Sequence, residues 1–121
     1  MQIGKHFEFE ASHILPWHKG KCSRLHGHSY KLTVIVDGNI NKEGMVVDFE
    51  ILKNVVKETI IDKYDHRHLN DFFENPTAEI LAKSFFESAD KKLRRITNNK
   101  VKIVRLRIYE TSKSFAEMCL A

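Results

Sequence analysis

The chain has 121 residues and a mass of 14.1 kDa, which fits one domain, residues 1–121, with one hydrophobic core. Its 42% hydrophobic and 30% charged residues are ordinary for a soluble globular protein, and no apolar run approaches the length of a membrane span. The net charge of +4 and pI near 9.1 suit a small polyanionic substrate as well as a nucleic acid.

The basic residues are dispersed. The nearest approach to a cluster, Lys91-Lys92 with Arg94-Arg95, falls in a helix-like stretch and reads as a solvated face, so no nucleic-acid partner is expected. The N-terminal MQIGKHFEFE lacks the apolar core of a secretory signal, and a cytoplasmic, membrane-free location is expected. A domain this small can complete a working site by borrowing walls from another copy of itself, which favours an oligomer.

From residue 3 to 13 the odd positions are Ile3, Lys5, Phe7, Phe9, Ala11 and His13. Apart from Lys5 they form the apolar face of a half-buried strand, and His13 ends that face. A loop from Pro16 to Arg24 carries Trp17, Gly20 and several lysines. A second strand follows, with His26, His28, Tyr30, Leu32, Val34 and Val36 on one face, closed by Asp37-Gly38 and turn residues running to Gly44.

Asp48 caps a helix whose apolar stripe includes Phe49, Leu52, Val56 and Ile60. A polar break, 62–74, precedes a second helix capped by Thr77 or Asn75. That helix carries Leu81, Phe85, Ala89, Leu93 and Ile96 on one side and ends at Thr97-Asn98-Asn99. A third strand places Lys102, Val104, Leu106, Ile108 and Glu110 on one face, and Ile103, Arg105, Arg107 and Tyr109 on the other. A short strand around Phe115 to Leu120 ends the chain. The order ββααββ predicts an α+β sandwich, an antiparallel sheet with both helices on one face.

Three groups of residues carry chemistry. Side chains two apart on a strand share a face, roughly 6.5–7 Å apart along it, so His26 and His28 can converge on one ion. If the first two strands pair as a hairpin with a long loop, His13 arrives beside them. Three imidazoles make a zinc site with an open fourth position, the catalytic arrangement. Cys22, four residues before His26, competes as a fourth ligand, which would close the site and make it structural. His6 and His18 read as surface residues.

The second group is Asp65-His66, where a carboxylate beside an imidazole can orient it and support its protonated form. Cys22 lies among Lys19, Lys21 and Arg24, which favour a thiolate, whereas Cys119 lies in an apolar segment and reads as core. The third is Glu110, a carboxylate where another aliphatic was due. Either an internal Arg or Lys partners it, or it accepts two adjacent N–H groups of a ligand such as a guanine or pterin.

FEFEASH at 7–13, CSRLHGH at 22–28, VVDF at 46–49, DHRHLN at 65–70, PTAE at 76–79 and YET at 109–111 together resemble the 6-pyruvoyl- and 6-carboxy-tetrahydropterin synthase family. The resemblance covers nearly the whole chain. It implies the tunnelling fold, ββααββ subunits in a barrel-forming trimer and a hexamer of two trimers. It also implies zinc held by His13, His26 and His28, catalysis by Cys22 with Asp65 and His66, and a pterin anchored by Glu110.

The implied substrate is 7,8-dihydroneopterin triphosphate. The short gap between Cys22 and His26 resembles the branch of the queuosine route that forms 6-carboxy-tetrahydropterin. The pyruvoyl-forming branch typically has a longer gap, and a third branch places glutamate where this chain has Cys22. Lys19, Lys21 and Arg24 are candidate triphosphate contacts, and Trp17 receives no role.

Overall fold

The computed structural model describes residues 1–120. Strands β1 (Gln2–His13) and β2 (His26–Gly38) form a long antiparallel hairpin, and β4 (Val101–Thr111) and β5 (Ser114–Cys119) form a second. β2 pairs with β4 antiparallel, so the two hairpins make one sheet in the order β1-β2-β4-β5. The two-residue β3 (Arg67–His68) lies parallel to Ala11 and Ser12 at the far edge, and the sheet is therefore mixed.

Between the hairpins run two helical units. The first begins at α1 (Phe49–Val56), passes through a π-helical turn (Lys57–Ile61) and ends in the single turn α2 (Asp62–Tyr64). The second is α3 (Ala78–Ile96). Both start where the sequence places them: Asp48 Oδ1 accepts the Glu50 N–H at 2.8 Å, and Thr77 Oγ1 accepts that of Ile80 at 3.2 Å. Leu52, Val56 and Ile60 face the core with Leu81, Phe85, Ala89 and Leu93, while Phe49 and Ile96, at the ends of their stripes, are exposed. Asn98 and Asn99 take positive φ after α3, a conformation that asparagine tolerates.

Two expectations need correction. The alternation in β4 shifts phase: Val101 and Ile103 face the core, then Leu106 and Ile108 do. Ile35 pairs with Arg105 and Val36 with Ile103, so Val104 is the extra residue of a bulge. Glu110 follows Ile108 at a second register shift, between Tyr109 and Thr111. Cys119 is exposed rather than core, because β5 turns Ala116 and Met118 inward and the residues between them outward.

Candidate functional site

The hairpin register assembles the histidines. His13 lies directly opposite His26, Ala11 opposite His28 and Phe9 opposite Tyr30. Phe9 stacks on Tyr30 with centroids 5.0 Å apart, and Phe85 meets Phe9 edge-on at 6.0 Å. These fully buried rings are each worth about 1.5–3 kcal/mol in burial and form a rigid floor beneath the imidazoles. The result is a triad with ring centroids 4.5–4.9 Å apart, in which His13 is 0% exposed.

Backbone carbonyls set the tautomers. His13 Nδ1 donates to the Pro76 carbonyl at 2.8 Å and His26 Nδ1 to the Arg24 carbonyl at 2.7 Å. A carbonyl only accepts, so each neutral ring carries its hydrogen on Nδ1 and presents a bare Nε2. Those two Nε2 atoms stand 2.9 Å apart, and His28 Nε2 is 3.1 Å from His13 Nε2.

Protons are disfavoured on His13 and His28. Burial lowers the pKa of His13, and burial followed by the neighbouring His13 and His26 pushes that of His28 down to about 4. Bare lone pairs at this distance repel unless they share a cation. Ligands on a tetrahedral ion with bonds of about 2.0–2.1 Å sit about 3.3–3.4 Å apart, so the triad is close to closing on such a radius. The group is one that could hold a metal ion, with all ligand atoms within 4.8 Å of one another, and a set of neutral imidazoles suits zinc. Cys22 is not a member of the group.

Asp65 and His66 follow the first helical unit. Asp65 Oδ1 accepts the Glu10 N–H at 2.9 Å and lies 3.0 Å from His66 Nδ1. The Glu10 N–H, and after it the His66 ring, hold the Asp65 carboxyl below the usual carboxylate range. An ionised Asp65 therefore fixes the His66 tautomer with Nδ1–H inward and Nε2 free. The His66 N–H donates to the Glu10 carbonyl at 2.6 Å, and its φ of 59° costs on the order of 1–3 kcal/mol, held by these ties to β1. Its side chain is 77% exposed.

His66 and His28 line one cleft of about 570 Å³, together with Glu10, Ser12, Ser29, Arg67 and His68. His68 was not singled out from sequence. Its Nδ1 lies 3.0 Å from Ser12 Oγ, and its spacing of two from His66 is the signal that singled out His26 and His28. Asn70 was missed as well: its Oδ1 accepts the Ile14 N–H at 2.8 Å and its Nδ2 donates to the Ile14 carbonyl at 2.9 Å, clamping the end of β1 beside His13. A larger cleft, about 890 Å³ around Ile40, Met45 and Ile51, contains none of the site residues.

Cys22 sits partly buried on a short 3-10 turn (Lys21–Ser23), outside the lining of the His28–His66 cleft. Glu110 is half-buried, and among the described residues no Lys, Arg or His nitrogen lies within 4.0 Å of its carboxylate. The internal ion pair that would ordinarily explain it is absent there. Its charge does reach the centre, acting after burial to raise the pKa of Tyr30, whose hydroxyl lies 3.4 Å from His13 Nδ1.

Fold and site together define a class: an α+β protein of two hairpins and two helical units, with a three-imidazole centre at a strand end. Within that class the chain belongs to the 6-pyruvoyl tetrahydropterin synthase family, whose model matches residues 2–119. It is 35% identical to a 6-carboxy-5,6,7,8-tetrahydropterin synthase of Haemophilus influenzae, covering 96% of each chain. It is 42% identical to one of Synechocystis sp., covering 74% of each.

Among solved structures it is similar to 6-pyruvoyl tetrahydropterin synthase of Caenorhabditis elegans, with a TM-score of 0.85 and 25% identity, covering 100% of this chain and 96% of that one. No helix among the described residues is long and apolar enough to cross a membrane.

Proposed function

We propose that the chain converts 7,8-dihydroneopterin triphosphate and one water to 6-carboxy-5,6,7,8-tetrahydropterin, acetaldehyde and triphosphate, as a zinc-dependent lyase of the queuosine route. One observation carries the reading. Two imidazoles are pinned by backbone carbonyls so that their bare Nε2 atoms face each other at 2.9 Å, with a third beside them. Such a site has three protein ligands and leaves room for substrate. The names of the curated relatives from Haemophilus influenzae and Synechocystis sp. support the product.

His13, His26 and His28 hold the zinc, which supplies Lewis acidity to the hydroxyls of the substrate side chain. Cys22 and His66 move protons on opposite sides of the junction between the ring and the side chain, and Asp65 keeps His66 Nε2 available as the acceptor. Glu110 accepts the paired N–H groups of the pterin as a fork. The working form is an oligomer in the cytoplasm, a hexamer of two trimers whose neighbouring copies complete the sites. Cys22 does not line the His28–His66 cleft of its own copy, which fits that arrangement.

A second reading, elimination of triphosphate to give 6-pyruvoyl-tetrahydropterin, is favoured by the names of the family model and of the Caenorhabditis elegans structure. A structural zinc module with a basic partner-binding surface fits the unpaired Glu110 less well. Mass spectrometry after incubation with dihydroneopterin triphosphate separates the three. The proposal expects the 6-carboxy product with acetaldehyde. A 6-pyruvoyl product would select the second reading, and unconsumed substrate would reject both.

A further inference from the structure

The loop that carries Cys22 is bonded to itself. Gly20 N–H donates to His18 Nδ1 at 2.9 Å, Ser23 Oγ to the Gly20 carbonyl at 2.9 Å, and Arg24 N–H to the Lys21 carbonyl at 3.1 Å. Its neck is closed where Leu15 N–H donates to the Cys22 carbonyl at 2.8 Å, with His18 N–H on the Leu15 carbonyl at 2.9 Å. A segment tied internally in this way moves as one body, and its placement depends on what it grips outside itself.

Trp17 provides such a grip. It is 60% exposed, yet its indole N–H donates to Asn75 Oδ1 at 3.0 Å, across 58 residues of chain. Asn75 immediately precedes Pro76, the buried residue whose carbonyl fixes the His13 tautomer. Asn75 is itself held in a turn by the Thr77 N–H on its carbonyl at 2.8 Å. One hydrogen bond therefore joins the body that carries the thiol to the turn that orients a ligand histidine. An exposed tryptophan at this point is explained neither by the core nor by the site.

We infer that Trp17 and Asn75 form a latch that fixes Cys22 relative to the histidine centre, making Trp17 a positioning residue. An indole suits this part: its only polar group is a donor, and its large ring loses little conformational freedom on docking. Asn75 supplies the complementary acceptor on a rigid turn. The link to turnover rests on the proposed role of Cys22, but the latch itself does not.

Trp17 is the chain's only tryptophan, so its emission reports on the latch directly. The test compares the wild type with Asn75→Leu, Asn75→Asp, Trp17→Phe and the double variant Trp17→Phe/Asn75→Leu. Emission and the iodoacetamide labelling rate of Cys22 are measured, the latter by peptide mass spectrometry with exposed Cys119 as internal control. Asn75→Leu red-shifts the emission and speeds Cys22 labelling about three- to tenfold, the shift that one ordinary hydrogen bond supports, while Cys119 keeps its rate. Asn75→Asp, which retains an acceptor, restores both.

Trp17→Phe speeds labelling by a similar factor, and the double variant adds little, since the two side chains act through one bond. With pterin triphosphate, Asn75→Leu lowers kcat about 10–100-fold with KM and zinc content unchanged. Should Asn75→Leu unfold, Trp17→Phe carries the test through labelling alone, because it keeps a ring and loses the donor. Unchanged emission and labelling, or effects that simply add in the double variant, would overturn the latch. A wild type that turns over no pterin while the labelling pattern holds would overturn the proposed function instead.

Discussion

The site is built from two kinds of support. His13, His26 and His28 stand on β1 and β2, held by a twelve-position register and by buried aromatic rings. Cys22, Asp65 and His66 stand on turns, held by a few hydrogen bonds: Leu15 to Cys22, Glu10 to Asp65 and Glu10 to His66. The difference matches the work proposed for each. Metal ligands must keep a fixed mutual geometry, which a sheet provides, whereas proton-transfer groups need only reach their atoms, which a tethered turn allows. Damage to the strand-borne set should therefore remove metal and activity together, and damage to the turn-borne set should remove activity alone.

The largest effect expected is from His26→Ala, which removes a proposed ligand. Metal affinity falls by more than the roughly 10–100-fold that loss of an outer hydrogen-bond partner costs, and turnover falls with it, as titration with a chromophoric zinc chelator would read. Retained affinity would dissolve the division between the two regions.

Asp65→Asn comes next. The amide lacks the charge that fixes the His66 tautomer, so turnover drops by on the order of 10²–10⁴ while metal content stays constant. Parallel steady-state kinetics and metal analysis sharpen the comparison, because loss of metal would mean the two regions are coupled.

Asn70→Ala tests the join between them. It leaves both Ile14 backbone groups unpaired beside His13 and costs about 1–3 kcal/mol, measured by urea unfolding of the metal-free chain.

The smallest effect is an acid one. The folded pKa of Asp65 lies below its unfolded value of about 3.9, so its contribution to stability is complete above that pH and is lost as pH falls through the folded value. The stability gap between the wild type and Asp65→Asn, followed by circular dichroism, should accordingly shrink as pH falls below about 4.

Legibility in the sequence divides along the same line. Strand periodicity and caps are local, so ββααββ, the Asp48 and Thr77 caps and the three phased histidines could be read from residue order. The β4 bulge could not, because an inserted residue is defined by its partner strand, and Val104 looks like any other aliphatic. Pro76 and Arg24 act through carbonyls that every residue possesses, and Asn70 grips the Ile14 backbone from 56 positions away. His68 had a readable spacing, but β3 has only two residues and offers no periodicity of its own. Cys119 looked like core because its neighbours are apolar, and edge-strand alternation put it outside.

The central claim is an open centre of three histidines with Cys22 outside it. Its most direct test is the metal content of purified Cys22→Ala measured beside the wild type by plasma mass spectrometry. Equal zinc per chain is expected in the two proteins, with turnover of dihydroneopterin triphosphate lost only in the variant. A zinc-free Cys22→Ala would contradict it and make the thiol a ligand.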